Sequence, residues 1–459
     1  MNGTPIKVAI AGGGIAGLAL AAGLAKKPHI DVHVYEAVRE YRDVGAGLAL
    51  HLNATQALGL VDPSLRQAYL DKALSMAEEE DQVMATEVIL AHGPHSGQRV
   101  AELGKAKGRK TVSRADLLDG FLDLVPHTRV SFGKRLVSIE EAKEGKGHET
   151  GTRGGVTLVF EDGSRASADC LLGADGVHSV VRRHMLGADH PAANSKNHDG
   201  WQIHRVMVPT AEARKEIDPK WTQNVPILLG PLGHINCIPL NKNTRLSAGV
   251  AIRRGAEAST DKPNDTVNQT DGKQLQPGPS SPSSPPALDP NLYSDYSADA
   301  QAIVRMIASR AGTSQSASWA LRDHDHAPFY ARGGSRVAII GDAAHAALPF
   351  AGNGAAQVLE DAAVLDCLFG ALASSGCIRD LGDDDDDDDS NALARVGEAI
   401  EDALLAFDHV RRPRSQAVVD LARKFGRIYA YAEDGSKRLT FLMSSLPLCT
   451  LSFHLTSRT

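Results

Sequence analysis

Gly12, Gly14 and Gly17 stand in the run AGGGIAG, directly after the apolar KVAIA and at the start of a helical pattern over residues 15–25. Glycines at that spacing do three things. The first lets the chain turn tightly, the second lets a pyrophosphate approach the backbone, and the third lets the helix pack closely on the strand. The helix N-terminus then points free N–H groups and a partial positive charge at the phosphates. Glu36 follows at the end of a second apolar run over 31–35, where a carboxylate can accept hydrogen bonds from an adenosine ribose. Strand, glycine turn, helix, strand and acid together imply an ADP-containing dinucleotide. Nicotinamide and flavin dinucleotides both satisfy this much.

Three later segments choose between them. TVSRADLL places Arg114 just before a helical start. LLGADGVHSVVR runs an apolar strand into Asp175-Gly176 and opens another helix. VAIIGDAAHAALPFAGNGAAQVLEDAAVL, over 337–365, turns at Gly341-Asp342 and then brings Gly352, Gly354 and Ala355 to a further helix start. Asp342 can accept hydrogen bonds from a polyol chain, and the backbone N–H groups after Pro349 form a second anion-binding place. A nicotinamide dinucleotide in a simple two-domain dehydrogenase does not require this second grip. FAD does, because its ribityl chain extends beyond the pyrophosphate and its ring gains negative charge on reduction, which a helix N-terminus stabilises.

With these motifs in order, the chain resembles the FAD-dependent aromatic hydroxylases of the para-hydroxybenzoate hydroxylase fold, and especially their fungal salicylate hydroxylase-like branch. The resemblance covers roughly residues 5–250 and 315–432. It implies an α/β fold: a Rossmann-like FAD-binding domain interleaved with an α+β substrate domain containing an antiparallel sheet, plus C-terminal helices. The division expected is 1–75, 105–185 and 315–370 for FAD, 76–104 and 186–314 for substrate, and 371–435 for the terminal helices. By the same similarity, Glu36 binds the adenosine ribose, Gly47 and Ala49 lie beside the flavin, and Arg114 meets the ribose–phosphate region. Asp342 would hold ribitol and Ala355 would offer its backbone to the flavin ring. Asp175-Gly176 would serve both FAD and the NADPH or NADH that reduces it, since no second glycine fingerprint occurs.

The activity this implies is a monooxygenase that takes electrons from NAD(P)H and places one atom of molecular oxygen on an electron-rich aromatic ring. A phenolate is a better acceptor than a phenol, and a fixed cation beside the hydroxyl lowers its pKa. Arg205 in WQIHRVMVP is the candidate, matching an arginine that binds phenolate in relatives acting on resorcylic or polyketide-type phenols. Those relatives carry a tyrosine about where Ile238 stands, which leans the expected substrate toward a salicylate- or orsellinate-like acid, with decarboxylation as an accompanying option. His204 should face the other side of the strand from Arg205. His345 is expected as a packed, hydrogen-bonded histidine, His324 and His326 as a solvated or salt-linked loop, and Trp319 as part of the cofactor-domain packing. The competing readings are a catalytically weak flavin-binding regulatory protein and another flavoprotein oxidoreductase on the same scaffold.

Bulk properties fit this picture. The 459 residues are 42% apolar and 23% charged, with a net charge of −7. Much of that charge is the aspartate run 383–389, read as a solvated loop, so nothing suggests a nucleic-acid partner. Five scattered cysteines form no C-x-x-C pair, which points to a reducing, cytoplasmic setting. The N-terminus lacks a secretory pattern. The stretch 439–455 is the one membrane candidate, and its proline and hydroxyl residues argue against stable insertion. Residues 255–290 are polar and rich in Pro, Ser and Gly, composition that cannot offset its ordering entropy. The segment 436–459 is atypical for the resemblance, and a homodimer is an open option. Locally, VTLVF, EDGS and ADCLLGADG suggest a hairpin, three alternating runs over 224–253 suggest an antiparallel sheet, and residues 392–409 and 413–431 suggest two helices divided at Arg411-Arg412-Pro413.

Overall fold

In a computed structural model of the chain, the described residues are 4–41, 47–141, 155–255, 286–373 and 389–432, with side chains from 394 in the last segment. The glycine-turn unit forms as its pattern requires. Strand β1 (Ile6–Ala11), helix α1 (Ile15–Leu24) and strand β2 (Ile30–Glu36) follow one another, and α1 is buried almost all round. A five-stranded parallel sheet grows about β1 in the order Val337–Ile339, Cys170–Gly173, β1, β2, Val130–Phe132. Its central strands are buried on both faces, as parallel strands between helical layers must be. The helix Gly354–Ala371 packs against α1 and covers one side.

The second unit is a seven-stranded sheet in the order Ser316–Ala320, Trp201–Pro209, Arg245–Arg253, Gly233–Leu240, Val225–Gly230, Val83–Leu90, Arg99–Lys107. Its neighbours are antiparallel except Val225–Gly230 against Val83–Leu90. The runs over 224–253 form their antiparallel sheet. One face packs Val206, Val208, Ala248 and Val250 against Ile303, Val304 and Ile307 of the helix Ala298–Ala308. The other face turns toward the cofactor unit and the C-terminal helix.

Three expectations need correction. The hairpin's return arm is Arg165–Ala168, not ADCLLGADG. Cys170–Gly173 instead joins the parallel sheet beside β1, because all four residues are apolar or small and buried on both faces. The two expected C-terminal helices are one, Asp389–Tyr429, with Pro413 inside it. An interior proline removes one ladder hydrogen bond and usually bends a helix. Here Arg411 and Arg414 on either side are anchored to Glu360, and this tertiary hold carries the helix through. Trp319 lies on the edge strand of the seven-stranded sheet, where it pairs across from Ile203, and not in the packing of the cofactor unit.

Of the insertion, 255 and 286–290 are described and Leu288 is buried; the rest, the aspartates 383–388 and the segment 436–459 with its membrane candidate, lie outside the described residues. Among those described, no helix is long and apolar enough to cross a membrane.

Candidate active site

Parallel strands that end in register release their turns side by side. Ala11 pairs with both Gly173 and Tyr35, and Gly173 with Ile339. Gly12, Asp175 and Gly341-Asp342 therefore open onto one crevice at the carboxyl edge of the sheet, the place where such sheets bind ligands.

The turn at Gly12 is closely built. Its φ is +106°, and a Cβ there would lie 2.3 Å from the carbonyl oxygen of Ala174. A Cβ on Gly17 would lie 2.0 Å from the carbonyl oxygen of Gly12. Beside Gly14, by contrast, nothing comes nearer to such a Cβ than Arg114 Nη2 at 3.9 Å, and none would be touched at Gly176 or Gly354. Open space faces the loop where a pyrophosphate must approach. Arg114 is exposed at the first turn of the helix Arg114–Leu122, which Ser113 caps by accepting from the Asp116 N–H at 3.0 Å. It pairs with no carboxylate among the described residues. Glu36 spans the mouth, accepting from Gly13 N at 2.6 Å and Val38 N at 2.8 Å, and each oxygen keeps a lone pair for a hydroxyl. Tyr41 donates to the Gly13 carbonyl at 2.5 Å and fixes that peptide.

At the far end of the crevice, Asp342 begins a short helix, Asp342–His345. Its side chain is exposed to the crevice, yet protein crowds it on all other sides. That surrounding mass raises its carboxyl pKa by desolvation, against the opposing charges of His345 and Arg114. An acceptor that is half-desolvated and accessible suits a polyol. Gly352 takes a left-handed φ of +61° and lies near His51 Nε2, and Gly354 and Ala355 open the helix Gly354–Ala371. Gly47 sits against Leu240, whose Cδ2 would be 2.7 Å from a Cβ there, while Leu48 bridges to Val112 and Ala49 is exposed.

Asp175 behaves differently from its expected partners. Its carboxylate turns inward, accepting from Ser179 Oγ at 2.5 Å, Val180 N at 2.7 Å and Val181 N at 3.1 Å. Burial raises its pKa against these bonds. The backbone about Gly176, with φ +78°, is what this turn leaves facing outward.

A buried charge network stands behind the far end. Asp361 accepts from Gly341 N at 2.8 Å, from His345 Nε2 at 2.7 Å and from Arg411 Nε at 2.7 Å. Glu360 accepts from Arg411 at 2.7 Å, from Arg414, and from Asn53 at 2.9 Å. Burial alone would raise Asp361, but His345 and Arg411 outweigh it and hold its pKa at about 2. The network thus holds the turn that displays Asp342. His345 is the packed, hydrogen-bonded histidine expected. His324 is not in a solvated loop: it is buried, and burial followed by the charge of Arg182 takes its pKa to about 3. His326 is salt-linked, to Asp420 at 2.9 Å.

The face of the seven-stranded sheet that turns toward the crevice is covered at both ends. At one end His234 meets Phe350 at 5.1 Å between ring centroids, and Trp201 meets Phe350 at 4.6 Å. At the other, Ile238, Val225 and Met84 pack against Met76 and Ala77. Between them runs one cross-strand row, Arg205–Gly249–Asn236–Ile227, of which only Ile227 packs against an apolar cluster. The cofactor unit straddles this row, with Gly47 over Leu240 on one side and Phe350 over His234 on the other. Arg205 is largely withheld from solvent, which lowers its pKa, and its Nε has no hydrogen-bond partner. Its guanidinium lies 5.8 Å from the Trp319 ring, a cation–π contact, and no carboxylate among the described residues pairs with it. His234 is neutral: burial, then the charge of Arg205, takes its pKa to about 3. His204 faces the opposite side, as strand alternation requires.

Several of these groups escape sequence reading. Asn236, Gly249 and His234 gain meaning only from cross-strand register, although Asn236 is the lone amide in the run HINCIPL.

The residues of the crevice fit FAD: an open glycine loop, an exposed arginine whose charge reaches an accessible carboxylate, and a helix N-terminus on the same crevice. Gly17→Val should therefore give a folded but colourless protein, since its side chain must displace the Gly12 turn; the ratio of flavin to protein absorbance after purification measures this. Retained stoichiometric flavin would place the cofactor elsewhere.

No protein-family model matches the chain. It is 33% identical over 427 residues to a 6-methylsalicylate 1-monooxygenase of Aspergillus terreus, covering 93% of this chain and 83% of that one. It is 31% identical over 439 residues to a salicylate hydroxylase of Sarocladium schorii, covering 94% and 83%. Among solved structures, a salicylate hydroxylase in complex with substrate superposes with a TM-score of 0.69 at 26% identity, over 98% of this chain and 99% of that one. With the sheet, the crevice and these likenesses agreeing, the chain belongs to the FAD-dependent aromatic hydroxylases, the salicylate hydroxylase-like flavoprotein monooxygenases.

Proposed function

We propose that the chain hydroxylates a phenolic aromatic acid of the salicylate or orsellinate class, with NADPH or NADH as reductant and Arg205 as the group that binds the anion. The observation that carries this reading is Arg205 itself. A cation removed from water without a partner is costly, and an anionic ligand in the same place relieves that cost. The names of the relatives, which act on salicylate and 6-methylsalicylate, support the same class.

FAD, when bound, supplies electron transfer from NAD(P)H and the activation of oxygen. The chain's residues hold, orient and dry the substrate. Arg205 offers a forked, permanently charged donor to a carboxylate or phenolate, and its charge favours the deprotonated phenol. His234 stays neutral and leaves Arg205 as the cation of this row. Gly249, between Arg205 and Asn236, has no side chain to hold the two apart, so both reach over it toward one place. Phe350 and Trp201 close one end with apolar surface and exclude water.

Purified protein offered a panel of hydroxybenzoic acids should consume NAD(P)H and oxygen together, with faster consumption for acids than for the corresponding uncharged phenols. Product mass separates gain of one oxygen from gain with loss of carbon dioxide. Rates that no member of the panel changes would overturn the assignment. Gly249→Val should raise KM at least about tenfold with flavin retained, because its Cβ falls 2.9 Å from Asn236 Oδ1 and 3.7 Å from Arg205 Nε.

A further inference from the structure

Asn236 stands in the same row as Arg205 but two strands away, with Gly249 between them. Strands lie roughly 4.8 Å apart, so the two side chains rise from positions about 10 Å from each other across a floor without a side chain. Both side chains lean over that floor: a Cβ on Gly249 would lie 2.9 Å from Asn236 Oδ1 and 3.7 Å from Arg205 Nε, so one ligand seated above Gly249 can meet the carboxamide and the guanidinium together. The Asn236 carboxamide has no hydrogen-bond partner among the described residues, and it is only partly buried, so it remains open to a ligand. Ser247 lies on the same face in the adjacent row, between Met207 and Ile238. It is 2% exposed, and its Oγ is buried without a partner. A buried hydroxyl without a partner is costly, and Ser247 beside the open Asn236 carboxamide gives this part of the face two polar groups that no described residue satisfies.

We infer that Asn236, supported by Ser247, forms a second polar subsite that reads a further ring hydroxyl on the substrate whose anionic group Arg205 holds. This rests on the reading of Arg205 as the anion site. It narrows the substrate class from hydroxybenzoic acids in general to those carrying a further hydroxyl, with Asn236 as the residue that determines that preference. The amide suits this task because it can both donate and accept. The apolar neighbours Ile227, Ile238 and Met207 favour carbon around that hydroxyl.

The test is a binding titration of the FAD-loaded protein, followed by the perturbation of flavin visible absorbance. The ligands are salicylate and its ring-hydroxylated analogues, with the second hydroxyl at each position in turn. One regioisomer should bind about tenfold more tightly than salicylate, and in Asn236→Leu that ratio should fall to near one. Ser247→Ala should reduce the ratio by a smaller factor. Asn236→Asp, which keeps the size but removes the donor and adds a charge, should weaken every acid, and more so the dihydroxy isomer. The inference is overturned if no hydroxylated analogue gains over salicylate, or if the ratio survives in Asn236→Leu protein that still binds flavin. Failure of all acids to bind the unaltered protein is a different result: it removes the anion site at Arg205, and this subsite with it.

Discussion

Arg411→Ala should destabilise the folded chain by about 3–5 kcal/mol, the cost of leaving buried charges without their partner. Arg411 is completely buried and bonds Asp361, Glu360 and both the carbonyl and side chain of Gln357. Its loss leaves two carboxylates at 0% exposure with fewer cations around them. Asp361 retains His345 and the Gly341 N–H, so the strain falls on the turn that presents Asp342. The substitution should accordingly lower the thermal midpoint and loosen FAD together, and adding excess FAD should restore part of the midpoint by mass action. A thermal shift of less than about 1 kcal/mol equivalent would show that the network is not the anchor described here. The same site sets the acid limit. Asp361 has its folded pKa depressed to about 2 from an ordinary value of 3.8. Its contribution is therefore complete above about pH 4 and is lost as the pH falls from there toward 2. In Arg411→Ala the folded pKa should rise, which shrinks that contribution, so the variant's deficit is largest near neutral pH and narrows in acid.

Arg205→Ala should leave the protein yellow and folded but lower kcat/KM for phenolic acids at least about 100-fold, equivalent to roughly 2.7 kcal/mol of transition-state stabilisation. Removing one side of a desolvated charge pair typically costs this much or more. Arg205→Lys should recover only part, because an ammonium lacks the planar fork that meets a carboxylate at two points and stacks less well on Trp319. The loss should be visible in ligand binding as well as turnover. It should also be smaller for uncharged phenols, which never pair with the guanidinium. Loss of flavin from Arg205→Ala protein would make this residue part of the scaffold and defeat the assignment.

The two residues differ in how they could be found. Arg205 was legible as a candidate only through the resemblance, as a match to an arginine that binds phenolate in related hydroxylases. Arg411 was legible only as a helix break, since Arg-Arg-Pro reads locally as an end. Its partners Glu360 and Asp361 lie on another helix, and no local pattern announces that they meet. His345 was anticipated as packed because it follows the Gly341-Asp342 turn, but its partner Asp361 was not. The Asp175-Gly176 turn was read as the step from an apolar strand to a helix, yet its carboxylate caps the helix Val180–Leu186, which only the placement of the donors reveals.

What the sequence by itself determined is the set of local devices: the strand–glycine–helix turns at Gly12–Gly17 and Gly341–Gly354, the acid at Glu36, and hence FAD. These are readable because close backbone approach and helix-end electrostatics are satisfied within a few residues. The tertiary structure alone decided that Cys170–Gly173 leaves its hairpin for the parallel sheet, that one helix runs through Pro413, and that Arg205, Gly249 and Asn236 share a row. Register and facing depend on partners far along the chain, whose burial and ion pairing outweigh local preference, so no short stretch of residues encodes them.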